Sequence, residues 1–359
     1  MSWNENVFIK KFKITYPIVQ AGMAGGITTP ELVAAVSNYG ALGSIGAGYM
    51  SASEMAEAIR DTKQLTNKPF NVNVFVPSID LLEVKEEQRQ KALEVLKPYF
   101  ENLNIREEPV IRDYSTVFNN QIDAIIEEGA AVCSFTFGAP PREVVSRLKE
   151  KGVLLIGTAT TAAEAIVLEE SGMDAIVAQG SEAGGHRGSF PDTREDVQIG
   201  IMSLLPRITD CVTIPVIAAG GIMDGRGINA ALSLGAQGVQ LGTIFLATEE
   251  SGAHPVYKEK VINSDEQSTM MTKAFSGKYA RGIRNTFMEE MEHQKDCILP
   301  YPMQHDLTSG LRKGAAARQN PNYMSLWAGQ GIGMVKQSQS VIQVLDELIR
   351  KMYVGASRR

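Results

Sequence analysis

Eight short β-rich runs, each followed by a stretch with helical signals, restrict the folds open to this 359-residue chain more than any other feature. The runs are residues 17–21, 41–45, 70–75, 131–135, 153–157, 174–178, 215–219 and 238–241. Helix starts are legible between them. Thr29-Pro30-Glu31 supplies an N-cap, a proline at the first helical position and an early acid. Ser51 with Glu54, and Thr161 with Glu164, have capping-box spacing. Ile228, Ala231, Leu232 and Gly235 repeat on one helical face, as do Ile342, Leu345, Ile349 and Met352. Strands alternating with helices make a parallel sheet, because each parallel crossover needs a long connection. About eight such units favour closure into an α/β fold of the (β/α)8 TIM barrel type. An open doubly wound sheet would carry a Gly-x-Gly-x-x-Gly turn after its first strand. The turn here, Ala21-Gly-Met-Ala-Gly-Gly26, does not match.

The repeat breaks after the eighth run. Residues from about Glu249 to Asn322 hold charge and helical stretches but no clean strand–helix unit. The expected organisation is a barrel over residues 1–248 and a small, mostly helical insertion over the barrel mouth at 249–325. A C-terminal segment, 326–359, then returns to the barrel with a helix near 335–353. The run from Glu289 to Lys295 reads as a solvated helix, and the stretch from Leu82 to Leu103 as a long amphipathic structural helix.

A net charge of −6 argues against nucleic acid or an anionic membrane as the main partner. No apolar run approaches the roughly 20 residues needed to span a bilayer, and the N-terminus lacks a signal-peptide core. The three cysteines, Cys133, Cys211 and Cys297, have no metal-ligand spacing. Cys133 falls in a strand and reads as a small core hydrophobe. A reduced, cytoplasmic setting is the expectation, and no metal site is expected.

In a barrel, chemistry gathers at the C-terminal strand ends, and the unusual residues of this chain fall there. After the sixth run comes Gln179-Gly-Ser-Glu-Ala-Gly-Gly-His-Arg-Gly188, with four glycines in ten residues and one histidine. Such a backbone can bend tightly and approach a ligand, and His186 is suited to moving a proton near neutral pH. The first run ends in Gln20-Ala-Gly-Met23, and the second in a bare loop closed by Tyr49. In the third, Asn71 and Asn73 share the inner face while Val72 and Val74 face outward. Those amides either meet a polar ring system or bond to neighbouring strands. The seventh run ends in Gly220-Gly221 and the eighth in Gln240-Leu-Gly-Thr243. These slots commonly hold a phosphate on backbone N–H groups and a short helix N-terminus. His254, His293 and His305 lie in the insertion and read as structural or surface residues.

These motifs, from Gln20 to Gly26, Ala178 to Gly188, Ile217 to Ile222, Gln240 to Thr243 and Trp327 to Gly331, closely resemble those of nitronate monooxygenases. The resemblance runs the length of the chain in the right order. It implies a barrel that binds FMN non-covalently and oxidises alkyl nitronates, such as propionate 3-nitronate, with molecular oxygen to a carbonyl compound and nitrite. It implies that Asn71, Gln179, Gly184, Gly220, Gly221, Gln240, Leu241, Gly242 and Thr243 bind FMN, that Met23 lies near the flavin ring, and that His186 is the catalytic base. Tyr301 and Tyr323 are candidates for lining the substrate pocket. Two other functions stay open. One is an NADH-dependent flavin enoyl-acyl-carrier-protein reductase, which shares the Glu-Ala-Gly-Gly-His core. The other is a flavin-binding protein without turnover.

Overall fold

The computed structural model describes residues 5–77, 84–106, 109–194 and 197–356. Its strands in chain order are β1 (Ile18–Gln20), β2 (Gly43–Gly46), β3 (Phe70–Phe75), β4 (Val132–Thr136), β5 (Leu154–Ala159), β6 (Ala175–Gln179), β7 (Gly185–His186), β8 (Val216–Ala219), β9 (Gly238–Leu241), β10 (Thr269–Thr272) and β11 (Ala280–Ile283). Eight of them form one parallel sheet in the order β1-β9-β8-β6-β5-β4-β3-β2. A parallel bridge from Val19 to Leu42 brings β1 against β2 and closes the ring. All eight predicted runs are barrel strands, two of them with the same bounds and the rest with ends shifted by at most two residues. The chain is a (β/α)8 barrel.

Local signals place the helices. Thr29 caps the helix Pro30–Tyr39 through its hydroxyl, and Gly40, at φ 101°, ends it in the left-handed conformation. The Ser51/Glu54 and Thr161/Glu164 capping boxes both form. The long helix after β3 covers Glu86–Asn102, so the start expected at Leu82 lies outside the described residues. The C-terminal helix is Val341–Ala356, with a 3-10 turn, Gln330–Met334, before it. Ile342, counted on its apolar face in the sequence, is 55% exposed, whereas Val341, Val344, Leu345, Leu348 and Met352 are buried. The face that packs on the barrel therefore includes Val341 and Val344 rather than Ile342.

Strand alternation sorts the core into two layers. Outward residues such as Ile45, Val72, Val74 and Cys133 pack under the helices. Inward residues Val19, Leu42, Val132, Ile156, Val177 and Ile217 fill the lower barrel. Phe8 and Phe12, from the helix Val7–Phe12, join that inner layer and are almost fully buried. The apolar floor leaves the C-terminal strand ends as the open side.

The residues after β9 pack around a second core, including Phe275, Phe287, Met288 and Met291, which they share with Ile27 and Leu96 of the barrel part. The helices of the insertion include Pro255–Ile262, Thr286–Glu292 and Ser309–Ala317. In Thr286–Glu292, Met288 and Met291 turn inward while Glu289 and Glu290 face solvent; the helix expected through Lys295 ends at Glu292, and a turn and a 3-10 helix, Lys295–Cys297, follow. The insertion also holds an antiparallel ribbon that the sequence did not reveal. Strands β10 and β11 pair with each other, and β11 pairs with β7. Among the described residues, no helix is long and apolar enough to cross a membrane.

Candidate active site

At the C-terminal barrel face lies a cavity holding about 1250 Å³ of open space, its mouth included. Its wall includes Met23, Gln179, Gly184, His186, Gly220, Gly221, Gln240, Leu241, Gly242 and Thr243. Nine of the ten residues that the sequence assigned to the cofactor thus border one space.

Asn71 is the tenth, and it sits one layer deeper. It is 2% exposed and its amide donates to Ser44 Oγ at 3.1 Å and Ser134 Oγ at 2.8 Å. Its Oδ1 is buried without a partner. Asn73, two residues nearer the mouth, borders the cavity and donates to Ser134 Oγ at 2.9 Å and Thr136 Oγ1 at 3.2 Å. Both amides therefore bond to neighbouring strands.

The loop between β6 and β7 is braced from several directions. The Gln179 side-chain amide donates to the His186 carbonyl at 3.0 Å, and its Oε1 accepts from Gly188 N at 2.7 Å. Arg187 is buried and reaches the carbonyls of Gln179 and Thr160. Glu182 accepts from Ile201 N at 2.9 Å and so caps the helix Ile201–Thr209. Gly184 is required by close approach. A Cβ there would lie 2.5 Å from the Ala328 carbonyl carbon and the Gly329 nitrogen.

The C-terminal segment joins this loop to the eighth one. Gly329 N donates to Thr243 Oγ1 at 2.9 Å, and Gln330 N donates to Glu182 O at 2.9 Å. Gly220 and Gly221 adopt φ of 119° and 67°, open to glycine and strained for most other residues. The helix that follows them, Gly225–Ser233, already has Asp224 accepting from its first amides. The starts of two short 3-10 helices, Thr243–Phe245 and Gln330–Met334, border the cavity.

His186 occupies β7 and is registered opposite Ala280 of β11. The insertion therefore holds the histidine by backbone pairing. Its ring sits among Trp327, Phe137, Tyr301, Phe75 and Tyr49, with ring centroids 5.5 to 6.5 Å away. Phe137 takes its place with φ at 78°, a strained value for a bulky side chain. Burial, followed by the positive charges of Lys278 and Arg312, pushes the His186 pKa down to about 3. The Tyr49 and Tyr301 phenols are pushed up, chiefly by burial.

The other expected pocket residues and histidines separate. Neither tyrosine borders the cavity: Tyr301 lies behind His186, with ring centroids 6.1 Å apart, and Tyr323 packs against Tyr99 at 5.9 Å. His254 accepts from Val256 N as a helix cap. His305, expected to be structural or at the surface, is buried and stacks on Tyr49 with ring centroids 3.9 Å apart. Arg312 donates to its ring and its carbonyl. Its neighbour Asp306 pairs with Arg112 at 2.9 Å and accepts from Tyr114, tying the insertion to the barrel. Phe75, Phe137 and Ser276, all around His186, were not singled out in the sequence. Among the described residues, no cluster of metal-ligating side chains occurs.

Two buried histidines give the fold an acid sensitivity with a definite sign. The His305 pKa lies well below its ordinary value, through burial and then the charge of Arg312, and His186 is also depressed. The unfolded chain takes up these protons near pH 6.5 while the folded chain does not. Stability is thus full above pH 6.5 and lost as pH falls, by up to about 1.4 kcal/mol per unit for each histidine. Between pH 6.5 and 5 the protein should lose about 3–4 kcal/mol, read from urea unfolding. Carboxylates held below their usual range, such as Glu54 and Asp224, begin to contribute only below about pH 4.5. A flat stability between pH 7 and 5 would contradict this.

Comparison with known proteins agrees with the fold and the motifs. The family model described as nitronate monooxygenase matches residues 6–351. A probable nitronate monooxygenase of Bacillus subtilis (strain 168) is 46% identical over 352 residues, covering 96% of this chain and 99% of that protein. One from Staphylococcus aureus (strain Newman) is 51% identical over 330 residues, covering 91% and 92%. Among solved structures, a nitroalkane oxidase from Streptomyces ansochromogenes aligns with a TM-score of 0.90 and 38% identity over 98% of this chain and 99% of that one. FabK from Thermotoga maritima aligns at 0.78 with 31% identity, covering 99% and 98%. With its barrel closed, its glycine-lined cavity formed and its histidine on the wall, this chain belongs to the nitronate monooxygenase family and is an oxidoreductase of nitronate-type compounds.

Proposed function

We propose that this protein binds FMN non-covalently in the barrel-mouth cavity and oxidises alkyl nitronates with molecular oxygen, giving a carbonyl compound and nitrite. The observation that carries the reading is His186, neutral at working pH, on the wall of a glycine-lined cavity within the field of Lys278 and Arg312. A nitronate is an anion, and a positive field around an uncharged imidazole favours it. A substrate with a carboxylate as well, such as propionate 3-nitronate, suits the same field.

The residues present fit a flavin nucleotide. Gly220 and Gly221, Gly242 and Thr243 leave backbone amides and a hydroxyl to meet a phosphate. Gln179, Gly184, Gln240 and Leu241 would border the rest of the nucleotide, with Met23 beside the ring. Asn71 would act from beneath, through the Asn73–Ser134 layer it buttresses. When bound, the flavin supplies the redox chemistry that links the nitronate to oxygen. The chain's own part is to hold both partners, to exclude water with the aromatic ring around His186, and to accept the α-proton on that histidine when the substrate arrives as a neutral nitroalkane. Three free cysteines suit a reducing, cytoplasmic setting.

The likeness to FabK keeps a second reading, reduction by NADH, in view. The FMN-loaded enzyme should consume oxygen and release nitrite over a panel of nitronates. NADH added without oxygen should bleach the flavin slowly. Rapid bleaching, with turnover of an enoyl thioester and no nitrite release, would overturn the proposal.

A further inference from the structure

His186 has two ring nitrogens, and only the one bearing a lone pair can accept a proton. Nε2 lies 2.8 Å from Ser276 Oγ, whereas Nδ1 has no hydrogen-bond partner among the described residues, and the side chain borders the cavity. Ser276 is 2% exposed, so water does not compete for its hydroxyl. That hydroxyl carries a single proton, and two acceptors lie within reach: His186 Nε2 and the Lys278 carbonyl, 3.1 Å away.

The turn itself favours the carbonyl. Ser276 and Lys278 are two residues apart in one tight bend, in which Ser276 N and Gly277 N both bond back to the Lys273 carbonyl. Lys278 N also approaches Ser276 Oγ, at 3.4 Å. With the hydroxyl proton on the Lys278 carbonyl, Oγ has lone pairs for both Lys278 N–H and His186 Nε2–H, and every group in the bend is satisfied. With the proton turned to Nε2, the Lys278 carbonyl loses this donor, and an N–H at Nδ1 faces the cavity in place of a lone pair. The ring is enclosed by Trp327, Phe137, Tyr301, Phe75 and Tyr49, and the backbone that carries it is paired to Ala280.

We propose that Ser276 is a positioning residue that fixes His186 in the Nε2–H tautomer, so that Nδ1 is the atom that takes the substrate proton. The hydrogen bond made by one ring nitrogen sets which form the other adopts. The arrangement also serves the product of the transfer. When the α C–H bond breaks, its electron pair stays on the nitronate and the proton goes to Nδ1. The resulting imidazolium donates from both nitrogens, and Oγ already accepts at Nε2 without turning. The inference rests on His186 being the proton acceptor, and the test separates the two claims.

The FMN-loaded enzyme is labelled with ring-15N histidine, and the His186 signals are assigned by their loss in His186→Asn. Between pH 6 and 8, Nε2 should show the shift of a protonated nitrogen and Nδ1 that of a bare one. In Ser276→Ala that pattern should mix or invert. Turnover of a neutral nitroalkane should then fall about 10–100-fold, the cost typical of losing an orienting partner. Turnover of preformed nitronate should change by less than about threefold, since no proton is removed from it. Ser276→Thr, which keeps the hydroxyl, should restore both the tautomer and the rate. A wild-type ring with its proton on Nδ1, or a ring pattern unchanged in Ser276→Ala, would overturn the proposal whatever the rates do. An equal loss on both substrates would reduce Ser276 to a packing role. Full nitroalkane activity in His186→Asn would remove the base assignment instead, leaving the tautomer result standing.

Discussion

Replacing His186 by asparagine should lower oxygen uptake with a neutral nitroalkane by about 10²–10⁴-fold, the usual contribution of a positioned general base. Uptake with a preformed nitronate should fall by less than tenfold. Asparagine is smaller than histidine, leaves the Ser276 contact at Nε2 unmade and cannot take the proton; both substrates feel the lost packing, so the difference between them isolates proton transfer from binding. The environment sharpens the contrast. Burial and the nearby charges of Lys278 and Arg312 keep the imidazole neutral, with its pKa near 3. A protonated ring is costly until a negative charge stands beside it, and the forming nitronate provides one. Preformed nitronate needs no such transfer. It should therefore be the better substrate of the wild-type enzyme, as measured by kcat/KM in an oxygen electrode. Equal losses on the two substrates in the variant would show that His186 binds substrate and removes no proton.

Gly184→Ala should weaken flavin binding by about 10–100-fold, or roughly 1.4–2.7 kcal/mol. The added methyl would meet the backbone of Ala328 and Gly329 at 2.5 Å, where no side chain can rotate away. Gly329 must then shift, and with it the bond to Thr243 and the neighbouring bond from Gln330 to Glu182. The sixth loop, the eighth loop and the C-terminal segment meet at this joint, so one methyl group disturbs both of the loops proposed to hold the flavin. Quenching of flavin fluorescence on titration measures the effect. An affinity unchanged within threefold would mean that the joint does not govern flavin binding.

Much of the barrel was legible because its signals are local. A capping box such as Ser51 with Glu54 is complete within four residues, and each strand run is short and apolar. The glycine-rich strand ends were legible for the same reason, since a bare backbone next to a buried strand has few other uses. The register of the asparagines was harder. Asn71 and Asn73 share a face, and only the depth of the barrel distinguishes the one beneath the cavity from the one on its wall. Phe137 gave no sign of its positive φ. Ser276 lies in a Phe-Ser-Gly turn whose partner is 90 positions away. The ribbon was invisible because Thr-Met-Met-Thr and Ala-Arg-Gly-Ile, the sequences of β10 and β11, lack the apolar alternation of a strand. They become strands by pairing with each other and with β7.

The sequence by itself determined the barrel, its glycine-rich strand ends, and the histidine that stands among them. Each follows from periodicity, capping and turn chemistry, which act between near neighbours. Only the tertiary structure decided how that histidine is held and charged. Pairing of β7 with β11 fixes its backbone, Ser276 engages one ring nitrogen, and burial among five aromatic rings, with the charges of Lys278 and Arg312, sets its proton affinity. Those contacts join the barrel to an insertion about 90 residues further along the chain. A proton's energy depends on everything within a few ångströms, and that neighbourhood exists only once the insertion has folded over the barrel mouth.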